Sequence, residues 1–169
     1  MKIEYLHASK FGNGAMVAAE FENLMNARGV NVEVHHVRQA KPTELPTADL
    51  YVFSSPGRFG KPIGSMRRFL KKVTLPTGTR YAILTTEAAP KPDKKTGRMP
   101  TEEEICRFQK VRPIMHRLLQ TRGAVAVAED VVHVLDMKGP LEDGWEWKVD
   151  AFADRIASAL TPTTPTVSA

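Results

Sequence analysis

Cysteine is almost absent from this chain: Cys106 is the only one among 169 residues. One thiol excludes an intramolecular disulfide and any multi-cysteine metal site, and it suits a reducing compartment. Long apolar runs are missing as well. None approaches the roughly 18 residues that a membrane-spanning helix requires. The start, Met1-Lys2-Ile3-Glu4-Tyr5-Leu6, has no apolar stretch ending in a small-residue cleavage site. The expectation is therefore a soluble, cytoplasmic protein. Aromatic residues make up only 7%, and no RNP-like, zinc-finger or helix-turn-helix pattern occurs, which argues against nucleic acid as a ligand. No internal repeat is visible.

What the chain does have is ordinary globular composition, with 42% hydrophobic and 25% charged residues. Its length fits one domain with a core that needs no staples. That domain is expected over residues 1–160. The low-complexity segment 161–169 (TPTTPTVSA) reads as a disordered tail. The net charge of +5 is concentrated: residues 1–57 carry −1, 58–98 carry +9 and 99–169 carry −3. Within the middle third, eleven cations (Arg58, Lys61, Arg67, Arg68, Lys71, Lys72, Arg80, Lys91, Lys94, Lys95, Arg98) face only Glu87 and Asp93. Such a segment is either a solvated basic face or a surface for an anionic ligand or acidic partner.

Periodicity supplies the architecture. Strands are expected at Lys2–Ala8, Val30–Val37, Ala48–Ser54, Tyr81–Thr85 and Ala124–Val134. Helices are expected over Ala15–Arg28, Pro62–Val73 and Gly144–Leu160, with a helical turn over Pro42–Leu45. A long helix from the Thr101 cap to about Arg122 starts on a capping box, Thr101-Glu102-Glu103-Glu104. Thr86–Pro100 reads as a polar loop. Strands alternating with helices imply a three-layer α/β fold, and a doubly wound, five-stranded parallel sheet is the simplest topology that right-handed crossovers leave. Ligands of such sheets bind beyond the carboxyl ends of the strands. That rule selects three loops: 8–14, 54–61 and 86–100.

The first of these, Ser9-Lys10-Phe11-Gly12-Asn13-Gly14, runs from a strand into a helix N-terminus, where unpaired N–H groups suit a phosphate. It is neither a Walker loop nor a G-x-G-x-x-G fingerprint. On spacing alone, a phosphate site and a plain tight turn are equally open. The segment resembles the FMN-phosphate loop of flavodoxins, with Gly14 in place of the family's last hydroxyl residue. That change removes one hydrogen bond to a charged acceptor, worth about 1.5–3 kcal/mol. The second loop, Ser54-Ser55-Pro56-Gly57-Arg58-Phe59-Gly60-Lys61, resembles the Pro-x-Arg-Phe-Gly loop of flavodoxin-like quinone reductases of the WrbA type. The resemblance places Pro56, Gly57, Arg58, Phe59 and Gly60 along the flavin ring. In the third loop, Thr86, Glu87 and Ala88 take the position of the family's second ring contact, here without an aromatic. Gly139-Pro140-Leu141-Glu142-Asp143-Gly144-Trp145 resembles the segment before the last helix of some flavodoxin-domain proteins and bears on the fold rather than on a site.

The resemblance implies the flavodoxin-like strand order 2-1-3-4-5 and a flavodoxin-like protein that holds FMN non-covalently and transfers electrons. It assigns no catalytic side chain. One alternative is an NAD(P)H-dependent FMN quinone oxidoreductase, and another is a flavin-free binding or regulatory domain that reuses the same loop edge. The electron-carrier family is acidic, so the basic third of this chain points to an acidic redox partner or an anionic substrate. Self-association stays open. No metal site is expected. The five histidines, at 7, 35, 36, 116 and 133, lack ligand spacing, and His35 and His36 point to opposite sides of a strand. Only His7 ends near a loop of the ligand edge. Ser54-Ser55 lacks a nucleophile elbow, Glu102–Glu104 are accounted for as helix N-terminal charge, and Trp145 and Trp147 as packing.

Overall fold

Five strands alternate with helices in the computed structural model, which describes residues 1–161. The proposed disordered tail lies, beyond Thr161, outside the described residues. Central strand β1 (Lys2–His7) pairs in parallel with β2 (Asn31–His36) on one side and with β3 (Leu50–Ser54) on the other. Next to β3 runs β6 (Arg80–Ala88), and then the edge strand β7 (Val125–Val134). A two-residue hairpin, β4 (Gly57–Arg58) and β5 (Lys61–Pro62), stands apart from the sheet. With the hairpin set aside, the order is the expected 2-1-3-4-5.

Each face of the sheet carries its own core. Helix α1 (Asn13–Ala27) presents Val17, Ala18, Phe21 and Met25, and α5 (Trp145–Leu160) presents Val149, Phe152, Ala153 and Ile156, to one face with Ile3, Tyr5 and Val52. Phe21 is central there, with ring centroids 5.4 Å from Tyr5 and 5.6 Å from Phe152. The other face buries Leu6, Phe53 and Ile83 under α2 (Gly64–Leu70) and α4 (Val111–Gln120). Because both faces are covered, β3 (LYVFS) is buried at every position, as its continuous apolar run implies.

Three elements differ from the sequence reading. The helix expected from Thr101 to Arg122 is two helices, α3 (Glu102–Phe108) and α4. Pro113 gives the reason. It has no N–H to donate to Gln109 and would clash inside a continuous helix, but it is tolerated in the first turn of a new one. The chain therefore turns extended at Gln109, and Lys110 N–H donates to the carbonyl of Gly60 at 2.7 Å. The Thr101–Glu104 capping box does form. Strand β6 continues to Ala88, because Thr86–Ala88 pair with Val132–Val134 of β7. Residues 42–45 form turns rather than a helical turn.

The two cores predict unequal sensitivity along α5. Replacing the fully buried Phe152 by Ala is expected to lower the unfolding free energy by about 3–5 kcal/mol. Replacing Trp147, which is 78% exposed, is expected to change it by no more than about 0.5 kcal/mol. Urea denaturation of the two variants beside the parent checks both.

Candidate functional site

At the carboxyl ends of the strands the connecting segments converge on one cleft of about 400 Å3. Of the fourteen residues that the sequence and the resemblance single out, the structure brings eleven to its walls: Ser9, Lys10, Phe11, Asn13, Gly14, Pro56, Gly57, Arg58, Phe59, Thr86 and Ala88.

The segment between β1 and α1 builds one end. Ser9 Oγ accepts the Gly12 N–H at 3.1 Å, so its own hydrogen remains free to donate outward. Helix α1 has no side-chain cap and no acidic residue in its first turn. The N–H groups of that turn therefore face the cleft end without an intrahelical partner. Two ammonium groups flank the loop, Lys10 Nζ at 5.3 Å and Lys138 Nζ at 6.0 Å from the Phe11 ring centroid. Gly14 also has a packing reason. A Cβ there would lie 3.3 Å from that of Ser9, so a hydroxyl residue at this position would press on the loop.

The hairpin builds the opposite wall. Its two turn residues both have positive φ, Phe59 at 50° and Gly60 at 70°, the backbone of a two-residue primed turn. The left-handed conformation costs a non-glycine residue roughly 1–2 kcal/mol. It leaves the Phe59 ring 81% exposed at the mouth of the cleft, with the Arg58 guanidinium 5.6 Å from its centroid. Gly57 is held close to α4, where a Cβ would approach Val111 Cγ2 to 3.0 Å.

Gly12, Gly60 and Glu87 do not line the cleft. Gly12 supplies the φ of 93° that starts α1. Gly60 lies under the α3–α4 junction, where a Cβ would fall 2.2 Å from the Phe108 carbonyl oxygen. Glu87 departs because strand residues alternate. Thr86 and Ala88 face the cleft, whereas Glu87 points to α4 and accepts from Thr85 Oγ1 at 2.7 Å and Arg112 Nε at 3.2 Å. It braces the wall from behind.

Several cleft residues escaped the sequence reading. Ile63 follows the hairpin, Lys91 lies in the selected 86–100 loop without being singled out there, Val134 ends β7, and Leu135, Asp136 and Met137 follow it. The carboxyl-end rule applies to β7 as well and was the available signal. Leu135 and Met137 supply apolar surface where the β6 loop has no aromatic. Lys91 Nζ stands 3.7 Å from Asp136. It also lines an adjoining open hollow of about 560 Å3 together with Arg98, Arg107 and Phe108.

His7 is buried behind the first loop. The Ser9 N–H donates to its Nδ1 at 3.3 Å, and the Ser9 carbonyl accepts from His36 Nε2 at 3.2 Å. The two rings meet edge-to-face at 5.1 Å. Sequence reasoning had no means of finding His36 here, since the contact depends on the β1–β2 register, which pairs the two histidines. Burial, and then the neighbouring His36, push the His7 imidazole down to about 4 from its usual 6.5.

Because its folded-state value is depressed, His7 stays neutral in the folded protein while the unfolded chain takes up a proton below pH 6.5. Stability is therefore expected to fall as pH drops from about 6.5 to 4, with no further His7 contribution below that. His7→Asn, whose Oδ1 can replace Nδ1 as acceptor, should show a smaller loss of urea midpoint across this window than the parent.

No family model and no curated protein matches the chain at the sequence level. Solved structures do match it. Oxidised flavodoxin 1 from Bacillus cereus superposes with a TM-score of 0.69 at 18% identity, over 95% of this chain and 100% of that one. A short-chain flavodoxin associated with a non-canonical PDU bacterial microcompartment gives 0.67 at 16%, over 95% and 99%. Rubredoxin oxygen:oxidoreductase from Desulfovibrio gigas gives 0.69 at 13%; there the match covers 94% of this chain but only 36% of the larger protein. The fold of this chain is the flavodoxin fold.

Proposed function

We propose that this chain is an FMN-binding redox protein that holds the flavin non-covalently in the cleft and passes electrons to or from a partner. One observation carries the reading. An uncapped helix N-terminus with a free serine hydroxyl and two nearby ammonium groups shares one cleft with an exposed aromatic hairpin and apolar strand ends. A phosphate suits the first end and a flat ring the second.

A bound FMN would supply the electron chemistry. The chain's part is to bind and orient it. Ser9 Oγ–H and the first-turn N–H groups of α1 would hold the phosphate, with Lys10 and Lys138 contributing charge. Phe59, Leu135 and Met137 would cover the ring, and the backbone of residues 56–58 would meet its polar edge. Arg58 would place positive charge beside that edge. None of these roles requires a side chain to act as acid or base. The reading includes a cytoplasmic location, an oxidoreductase role and residues 1–160 as the working domain.

The adjoining hollow favours a second reading, an NAD(P)H-dependent quinone-type oxidoreductase. Its lining of Lys91, Arg98 and Arg107 suits the phosphates of a pyridine nucleotide. All three cations are already paired, Lys91 with Asp136 at 3.7 Å, Arg98 with Glu104 at 2.9 Å and Arg107 with Glu103 at 2.8 Å, which weakens that case. Turnover of NAD(P)H with a quinone separates the enzyme from the carrier.

Titration of the purified protein with FMN is expected to quench flavin fluorescence at one equivalent per chain. Failure to take up FMN overturns the proposal and favours a flavin-free binding domain. Ser9→Ala is expected to weaken FMN binding about tenfold, the loss of a hydrogen bond to a charged group, and to leave the affinity for phosphate-free riboflavin unchanged.

The basic surface beside the cleft supports an acidic redox partner or anionic substrate. Arg58, Lys61, Lys94 and Lys95 make no ion pair among the described residues. Stopped-flow oxidation of the reduced, flavin-loaded protein by ferricyanide is expected to slow as ionic strength rises, whereas a cationic acceptor should show the opposite trend. A rate indifferent to salt with both acceptors would reduce the basic segment to a solvated face.

A further inference from the structure

Among the described residues, a cluster of metal-ligating side chains lies apart from the cleft, on the sheet face opposite α1 at the β1–β2 edge. The parallel register sets Glu4 against Glu33 and Leu6 against His35. Glu33 and His35, two residues apart on β2, share a face with Glu4. One ligand atom from each of the three lies within 4.8 Å of the others.

Two features make this more than a group of acids. Glu4 is fully buried, and neither of its oxygens receives a hydrogen bond; His35 Nε2 has none either. Lys2 Nζ is at ion-pair distance, 2.9 Å from Glu4 Oε1 and 3.2 Å from Glu33 Oε1, and His35 Nε2 is 3.1 Å from Glu4 Oε2. These contacts lie off hydrogen-bonding directions. A single ammonium thus faces two carboxylates, one of them fully buried. Directly opposed like charges on neighbouring strands are unfavourable, and a buried carboxylate without hydrogen bonds is costly.

We propose that Glu4, Glu33 and His35 form a binding site for a divalent transition-metal ion of the zinc class. One imidazole nitrogen and two carboxylate oxygens form a donor set suited to such an ion, with solvent completing its coordination. Glu33 and His35, with 44% and 38% of their side-chain surface exposed, provide the path in. Lys2 holds the place in the metal's absence and swings outward when the ion enters. The ion joins edge strand β2 to central strand β1 and stabilises the folded chain by mass action. Histidine spacing along the sequence gives no sign of this site, because Glu4 comes from the neighbouring strand.

The test uses untagged, chelator-treated full-length protein at pH 7.5. Zn(II) is followed by calorimetry and thermal unfolding, and Co(II) by visible absorption. The expected result is one ion per chain and a melting temperature that rises with Zn(II). Lys2→Ala should bind more tightly, having lost the competing ammonium. His35→Ala and Glu33→Gln should each weaken binding by roughly tenfold or more. Both positions are part-exposed, so the comparison does not depend on a Glu4 variant folding. Two results overturn the proposal: no Zn(II) or Co(II) binding by either parent or Lys2→Ala, or binding that His35→Ala and Glu33→Gln leave intact.

Discussion

Parallel pairing of β1 with a partner on each side is the constraint from which the rest follows. It sends His7 of β1, His36 of β2 and Ser54 of β3 to one edge at matched register. Segments that leave that edge must turn at once into a covering helix or a loop, which collects their backbone polar groups in one place. The first turn of α1, the hairpin after β3 and the segment after β7 become neighbours for this reason, although they lie far apart in the chain. The sheet also separates two side-chain environments at each strand end. Thr86 and Ala88 reach the cleft, while Glu87 between them belongs to the α4 face.

The cleft is shaped by backbone more than by side-chain chemistry. Gly12, Phe59 and Gly60 hold positive φ, and Gly14, Gly57 and Gly60 stand where a Cβ would meet a neighbour at 3.3 Å or less. Both cleft-facing turns are therefore set by contacts made behind them: the histidine pair behind Ser9, and the α3–α4 junction behind Gly60. The strain at Phe59 belongs to the same arrangement, since Gly60 and Lys110 anchor one side of the turn through a 2.7 Å hydrogen bond. A wall fixed from behind in this way can present an exposed ring without collapsing onto its own core.

Much of the fold was legible in the amino-acid sequence, because buried strands and amphipathic helices repeat at their own periods. The doubly wound sheet followed from alternation and crossover handedness, and its strand order from the flavodoxin resemblance. The misread elements failed for local reasons. Pro113 ended a helix that the apolar spacing alone would continue, and Thr86–Ala88 read as loop because their strand pairing depends on β7. For the cleft, the residues singled out came from loops with glycine or hydroxyl chemistry. Leu135 and Met137 carry no such mark, and their place rests on β7 being parallel. The His7–Ser9–His36 arrangement and the Glu4–Glu33–His35 cluster join residues some thirty positions apart. Such pairings exist only in the register, which no single segment encodes.

The hairpin and the segment after β6 carry Arg58, Lys61, Lys91, Lys94, Lys95 and Arg98 to the carboxyl ends of the strands, whereas Arg80 opens β6 at the other end of the sheet. Where a cation there finds an internal acid, as Arg98 does with Glu104, the pair is spent on holding α3 in place: Arg98 and the Thr101 N–H together keep the Glu104 carboxyl down at about 2. Arg58 has no such acid and stands over the exposed Phe59 ring at the cleft mouth. The charge that remains is therefore aimed outward from the place where a ligand's edge would be reached. A long-range field of that sign draws in acidic partners and repels basic ones before any contact forms.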